Sequence, residues 1–196
     1  MTDVTHPQTI GLGIAAVTSQ ALTVYAWRRR DTLAGQALAA MMAGSALAAL
    51  AHALSSVGVP PAMRVLLAKL AFCGCEVSSG AFLVFAIAFA GRRSLLRRPS
   101  ILALLGVHAI SIPLALLLGW SRLTTGDVAA VAADPVALPA GWRPAHGTAT
   151  LASTLVASGL FAVMAIQVPA HSRSRVRWMA VAALLPLAAS MAYAAH

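Results

Sequence analysis

The sequence predicts an all-α, polytopic membrane protein: a single transmembrane domain over 1–196, built as a bundle of six helices with both termini outside. Three observations lead there. Apolar segments of about 20 residues recur along the chain, the length an α-helix needs to cross a bilayer core. Only 10% of the residues are charged and 60% are hydrophobic, whereas about a quarter of a soluble domain is charged. The basic residues stand in short runs between the apolar segments, where they fix orientation and meet anionic headgroups. This placement argues against nucleic acid as the partner of a chain with net charge +9, and the bilayer itself is the expected one.

The six spans are read at about 8–27, 33–57, 65–90, 100–120, 147–169 and 177–195. The first is the least apolar, with Thr18, Ser19 and Gln20 inside it. It does not read as a cleaved signal peptide, because Arg28, Arg29 and Arg30 follow the apolar stretch instead of preceding it. With the N-terminus outside, ten of the 14 lysines and arginines fall inside: Arg28, Arg29, Arg30, Arg92, Arg93, Arg97, Arg98, Arg173, Arg175 and Arg177. Arg64, Lys69, Arg122 and Arg143 remain outside. That bias predicts the orientation. Trp27 and Trp178 then mark the inner interface and Trp120 and Trp142 the outer one, where an indole keeps its N–H wet and its body in apolar surroundings. The one long connection, 121–146, carries Asp127, Asp134 and several prolines and reads as an outer loop able to cap a cavity.

The second span holds Ala40, Gly44 and Ala48 at small-xxx-small spacing, which permits close approach of a neighbouring helix. Pro113 and Pro186 fall inside the fourth and sixth spans and loosen their hydrogen bonding. Cys73 and Cys75, two apart on one helix, point to nearly opposite faces, so a mutual disulfide is not expected.

The stretch CGCEVSSG, 73–80, places an acid in the middle of the third span. Eleven residues into that span, Glu76 lies roughly 16 Å below its outer edge. A carboxylate there costs at least ~2.5 kcal/mol on insertion scales and has to be paired, wet or neutral. His108, twelve residues from the outer end of the fourth span, sits at roughly the same depth, ~18 Å. Lys69, seven residues before Glu76, shares its face and is the other candidate partner. On the fifth span Thr150, Thr154 and Ser158 form a stripe at four-residue spacing, with Ser153 beside it. Such a stripe faces protein or a wet cavity, although its hydroxyls can also bond to their own helix. Glu76, His108, Lys69, Thr150, Thr154 and Ser158 are therefore the candidate ligand-binding set. His52, His108 and His146 are weaker candidates for a metal or haem. Their depths differ and no paired spacing links them, so no metal and no cofactor is expected.

No nucleophile elbow, zinc-protease helix, P-loop or spaced carboxylate pair occurs, and no enzyme is expected. Lys69, the only lysine, is too early and too shallow for a retinal Schiff base.

Three stretches carry a resemblance: ALTVYAWRRRDTLAGQALAAMMAG, AKLAFCGCEVSSGAFLVFAIAFAGRRSLLRR and ALLPLAASMAYAAH. Together they resemble the seven-helix N-terminal sensor region of bacterial histidine kinases and diguanylate cyclases. The correspondence rests on Trp27 with its basic run, on Lys69, Phe85, Gly91 and Arg92 of the third span, and on the step Leu185-Pro186-Leu187. It implies a membrane sensor domain in signal transduction, set in a bacterial cytoplasmic membrane. Six spans and no kinase or cyclase motif are read here, so the expectation is a sensor-like domain without a catalytic output module. It would act through a membrane-protein partner or as a homo-oligomer, with a small-molecule ligand as one possible signal. The alternative expectation is an accessory subunit of an electron-transfer or photosynthetic complex.

Overall fold

A computed structural model describes residues 7–57, 59–118, 136, 139 and 141–167. The predicted sixth span at 177–195, its Pro186, and most of the predicted outer loop lie outside the described residues. Within them are five helices long and apolar enough to cross a membrane. These are α1 (Pro7–Trp27), α2 (Leu33–Ser55), α3 (Pro61–Phe89), α4 (Pro99–Leu117) and α5 (Trp142–Gln167), with one 3-10 turn, Arg93–Arg97, between α3 and α4.

Local chemistry sets the ends. Thr32 caps α2, its hydroxyl accepting the Gly35 N–H at 3.0 Å. Helix α3 starts at Pro61, a turn earlier than the predicted 65, because proline at the first helical positions gives up only an N–H that has no intrahelical acceptor. It ends in a left-handed glycine, Gly91, at φ 69°. Gly91 donates to Ala88 O at 3.1 Å and Arg92 to Ile87 O at 3.0 Å, the paired bonds of a Schellman cap. Helix α5 starts at Trp142, five residues before the predicted 147 and inside the predicted loop. The N–H groups of Trp142 and Arg143 both bond to Pro139 O, and Pro144 falls in the first turn, where it is tolerated.

Helices consecutive in the chain run antiparallel, and α3 and α5, which also touch, run parallel. Thr9 near the start of α1 meets Ser56 just past α2 at 2.8 Å, and Ala37 near the start of α2 packs with Phe85 near the end of α3. Consequently Arg28, Arg29 and Arg30 share one end of the bundle with Arg92, Arg93, Arg97 and Arg98. Arg30 stacks over the exposed Trp27 ring there, 5.3 Å from its centroid, as an interfacial anchor does. At the same end Phe161 of α5 nests among Phe82, Phe85 and Phe89 of α3, with centroids 5.9 to 6.1 Å away. Ala37, Ala86 and Ala157 complete that core.

The α2–α3 contact is backbone on backbone. A Cβ on Gly44 would stand 2.6 Å from Gly74 O, and one on Gly74 would stand 2.5 Å from Gly44 O. The small-residue stripe of α2 is thus a helix seam, with Gly74 of the CGCEVSSG stretch as its other side. Ser45 and Ser78 close it with a 2.8 Å hydrogen bond. Cys73 is buried and Cys75 exposed, on opposite faces as expected.

Candidate functional site

The other face of α3 meets α4 and α5. Here Glu76, 2% exposed, takes His108 of α4 as its partner: Nδ1 of the ring lies 2.9 Å from Oε2. The ring's far nitrogen, Nε2, lies 3.1 Å from Ser153 Oγ on α5. The partners set the tautomer. With Nδ1–H donated to the carboxylate, Nε2 of a neutral ring accepts the Ser153 hydroxyl, and a doubly protonated ring donates to its oxygen. One buried chain of three side chains therefore ties three helices together. Gly80, one turn after Glu76, makes the floor for the ring: a Cβ there would meet His108 Cβ at 3.6 Å, an ordinary contact.

The second carboxylate oxygen faces another histidine. His146 Nδ1 stands 3.4 Å from Glu76 Oε1, at ion-pair distance but without hydrogen-bond geometry, and no hydrogen bond satisfies that nitrogen. The ring packs against Phe72, centroids 5.1 Å apart. Because α5 starts at 142, His146 is in its second turn and does not open the helix as the predicted boundaries imply. It is the most open member of the group, with its side chain 21% exposed. One turn on, the Thr150 hydroxyl oxygen is likewise buried without a hydrogen-bond partner.

The remaining expected residues go elsewhere. Lys69, fully buried, donates to the carbonyls of Ala115 and Leu118, where α4 ends. Carbonyls in a helix's last turn lack intrahelical donors, and a cation is favoured there. Lys69 therefore closes the α3–α4 contact beyond Pro113. Expecting it beside Glu76 misses the pull of those open carbonyls. Thr154 bonds back to Thr150 O at 2.9 Å, and Ser158 is buried farther along α5. His52 is exposed near the end of α2, apart from the other two histidines. Among the described residues no group of three His, Cys, Asp or Glu is arranged to hold a metal.

Sequence reasoning passes over two contacts. Ser153, set beside the threonine stripe, is the residue that reaches His108. Trp142, expected as a wet interfacial ring, donates its indole N–H to the buried Ser111 of α4 at 2.9 Å. The signal for Trp142 is the true start of α5, and that for Ser153 is its helical spacing from Trp142 and His146. Counted from Trp142, the positions 142, 146, 150 and 153 form one helical face.

Carboxylate, imidazole and hydroxyl in this order also make up a hydrolase triad. Ser153 is mid-helix and 1% exposed, and the neighbouring N–H groups are spent in the helix ladder. Among the described residues no pair of free donors stands beside it to hold an oxyanion, and the chain of bonds couples three helices.

Antiparallel apolar helices with a polar junction buried at their centre define an integral membrane protein of the helical-bundle class. A family comparison narrows the class: the N-terminal 7TM region of histidine kinase matches residues 12–196, and the chain belongs to that family. It is thus a membrane sensor domain of the kind that histidine kinases carry as a non-catalytic input. A comparison with curated proteins and one with solved structures each found no match.

Proposed function

We propose that this chain is the membrane-embedded input unit of a bacterial signalling system. It sits in the cytoplasmic membrane with its arginine-rich end inside. It responds to an extracytoplasmic signal at the α3–α4–α5 junction and passes the response, by protein contact, to a catalytic output module. The observation that carries this reading is the Glu76–His108–Ser153 chain. A buried intramembrane acid is expensive to insert and marks function by default. Here it joins three helices whose relative positions a signal can shift by binding one arrangement better than another. Signal-contacting groups are Glu76, His108 and the hydroxyl face of α5 around Thr150. The accessory-subunit alternative gains no support from the family match.

Purification from the native membrane in mild detergent, with mass spectrometry of what accompanies the chain, tests the proposal. A kinase or cyclase module at fixed stoichiometry is expected, and Glu76→Gln is expected to change its phosphorylation or cyclase output. Co-purification with respiratory or photosynthetic subunits alone, or an output indifferent to Glu76→Gln, would sink it.

A further inference from the structure

We infer that the signal read at this junction is the proton, taken up between His146 and Glu76 from the end of the bundle where α5 begins. The inference rests on the sensor reading above and names its input. The geometry points to it. One carboxylate faces two imidazole nitrogens from two helices, and only one of the pairs is a hydrogen bond. His108 sits at 2.9 Å from Oε2 and bonds. His146 sits at 3.4 Å from Oε1, and its Nδ1 is buried without a hydrogen bond. A ring nitrogen without its proton and a carboxylate oxygen are both acceptors. At 3.4 Å there is no room for a bridging water or organic ligand, which needs a hydrogen-bond length of about 2.7–3.0 Å to each side at an open angle. Uptake of a proton, which leaves the His146 ring protonated at both nitrogens, satisfies both atoms at once and pairs a cation with the carboxylate.

Access and leverage agree with this assignment. The side chains of Glu76 and His108 are 3% and 4% exposed, that of His146 is 21% exposed. The proton therefore enters at His146. That residue lies one turn below Trp142, whose indole is bonded to Ser111. Drawing the His146 ring onto Glu76 moves the first two turns of α5 across α3 and α4, while Phe161 holds the far half of α5 in its aromatic nest. Among the described residues the titratable groups around the carboxylate are few. His108 comes from α4 and His146 from α5, and α3 itself supplies Cys73, Cys75 and, two turns away, Lys69, whose ammonium bonds to the end of α4. Helix α2 lies on the opposite face of α3 and presents Ser45, with no titratable group at this level.

The sign follows. Protonation adds the His146–Glu76 bond, so the docked position of α5 is favoured as pH falls and released as pH rises. One proton shifts the docked-to-released ratio by at most tenfold per pH unit.

The full chain in lipid nanodiscs, with Trp27, Trp120 and Trp178 replaced by Phe, leaves Trp142 as the sole tryptophan, excited selectively over the two tyrosines. A scan from about pH 8 to about pH 5 brackets imidazole titration. A one-proton sigmoid in Trp142 emission is expected, lost in His146→Gln and unchanged by a chelator. A flat parent curve, a curve surviving in His146→Gln, or one abolished by the chelator overturns the inference, the last in favour of a metal. Histidine nitrogen NMR of the unsubstituted chain follows the same proton without any variant. If the sigmoid appears but output ignores Glu76→Gln, the proton site stands and the sensor reading falls. If the curve is flat but output follows Glu76→Gln, the sensor reading stands and the signal is not the proton.

Discussion

The two faces of α3 hold their neighbours by opposite means. Toward α2 the contact is glycine against glycine, with Gly44 and Gly74 so close that neither tolerates a Cβ without movement. Toward α4 and α5 the middle of the contact is made by Glu76, His108 and Ser153, side chains that carry or relay charge, between Lys69 at one end and the Phe161 nest at the other. In lipid, close backbone packing is a main source of helix association, since no hydrophobic drive remains between helices. It is strong, short-ranged and indifferent to pH. A polar junction is weaker for each bond but has more than one protonation state, hence more than one preferred geometry. The same helix thus serves as a fixed wall on one side and as an adjustable bearing on the other.

The largest expected effect breaks the fixed side. Gly74→Val drives methyl groups into Gly44 O and the Ala48 backbone and is expected to cost about 3 kcal/mol, read as loss of thermal stability of the purified chain and insensitive to pH. The adjustable side is next. His108→Ala leaves Glu76 buried without its closest partner and is expected to cost about 2 kcal/mol. In a Glu76→Gln background the same change should cost less than half as much, and a double-mutant cycle measures the difference. Equal costs in both backgrounds would separate the two residues energetically. The smallest effect sharpens the comparison. Ser45→Ala removes the one hydrogen bond of the seam, 2.8 Å to Ser78, and is expected to cost about 0.6 kcal/mol, because glycine packing and not that bond holds the seam.

Much of this arrangement is legible in the sequence, and for definite reasons. Helices announce themselves in lipid because the backbone has few other ways to satisfy its polar groups, so α1, α2 and α4 fall close to their predicted bounds. Glu76 is conspicuous as an acid in an apolar run, and matching depths suffice to suggest His108. The start of α5 is less legible. Pro139, Trp142, Arg143 and Pro144 read as loop, yet prolines in and before a first turn are what begin a helix. Moving that boundary by five residues, from 147 to Trp142, places Trp142 and His146 on the helical face that already carried Thr150 and Ser153. Lys69 is illegible for another reason: its acceptors are main-chain carbonyls, which carry no residue identity. Nothing in the letters says that α4 ends within its reach.

Lys69 has a practical consequence. It is the chain's only side-chain primary amine, and in the folded bundle it is wholly enclosed and bonded to the end of α4. An acylating reagent can modify position 69 only in molecules whose α3–α4 contact has come apart. A single added mass on one peptide therefore counts opened bundles directly, in detergent or in vesicles, and the chain carries its own tamper seal.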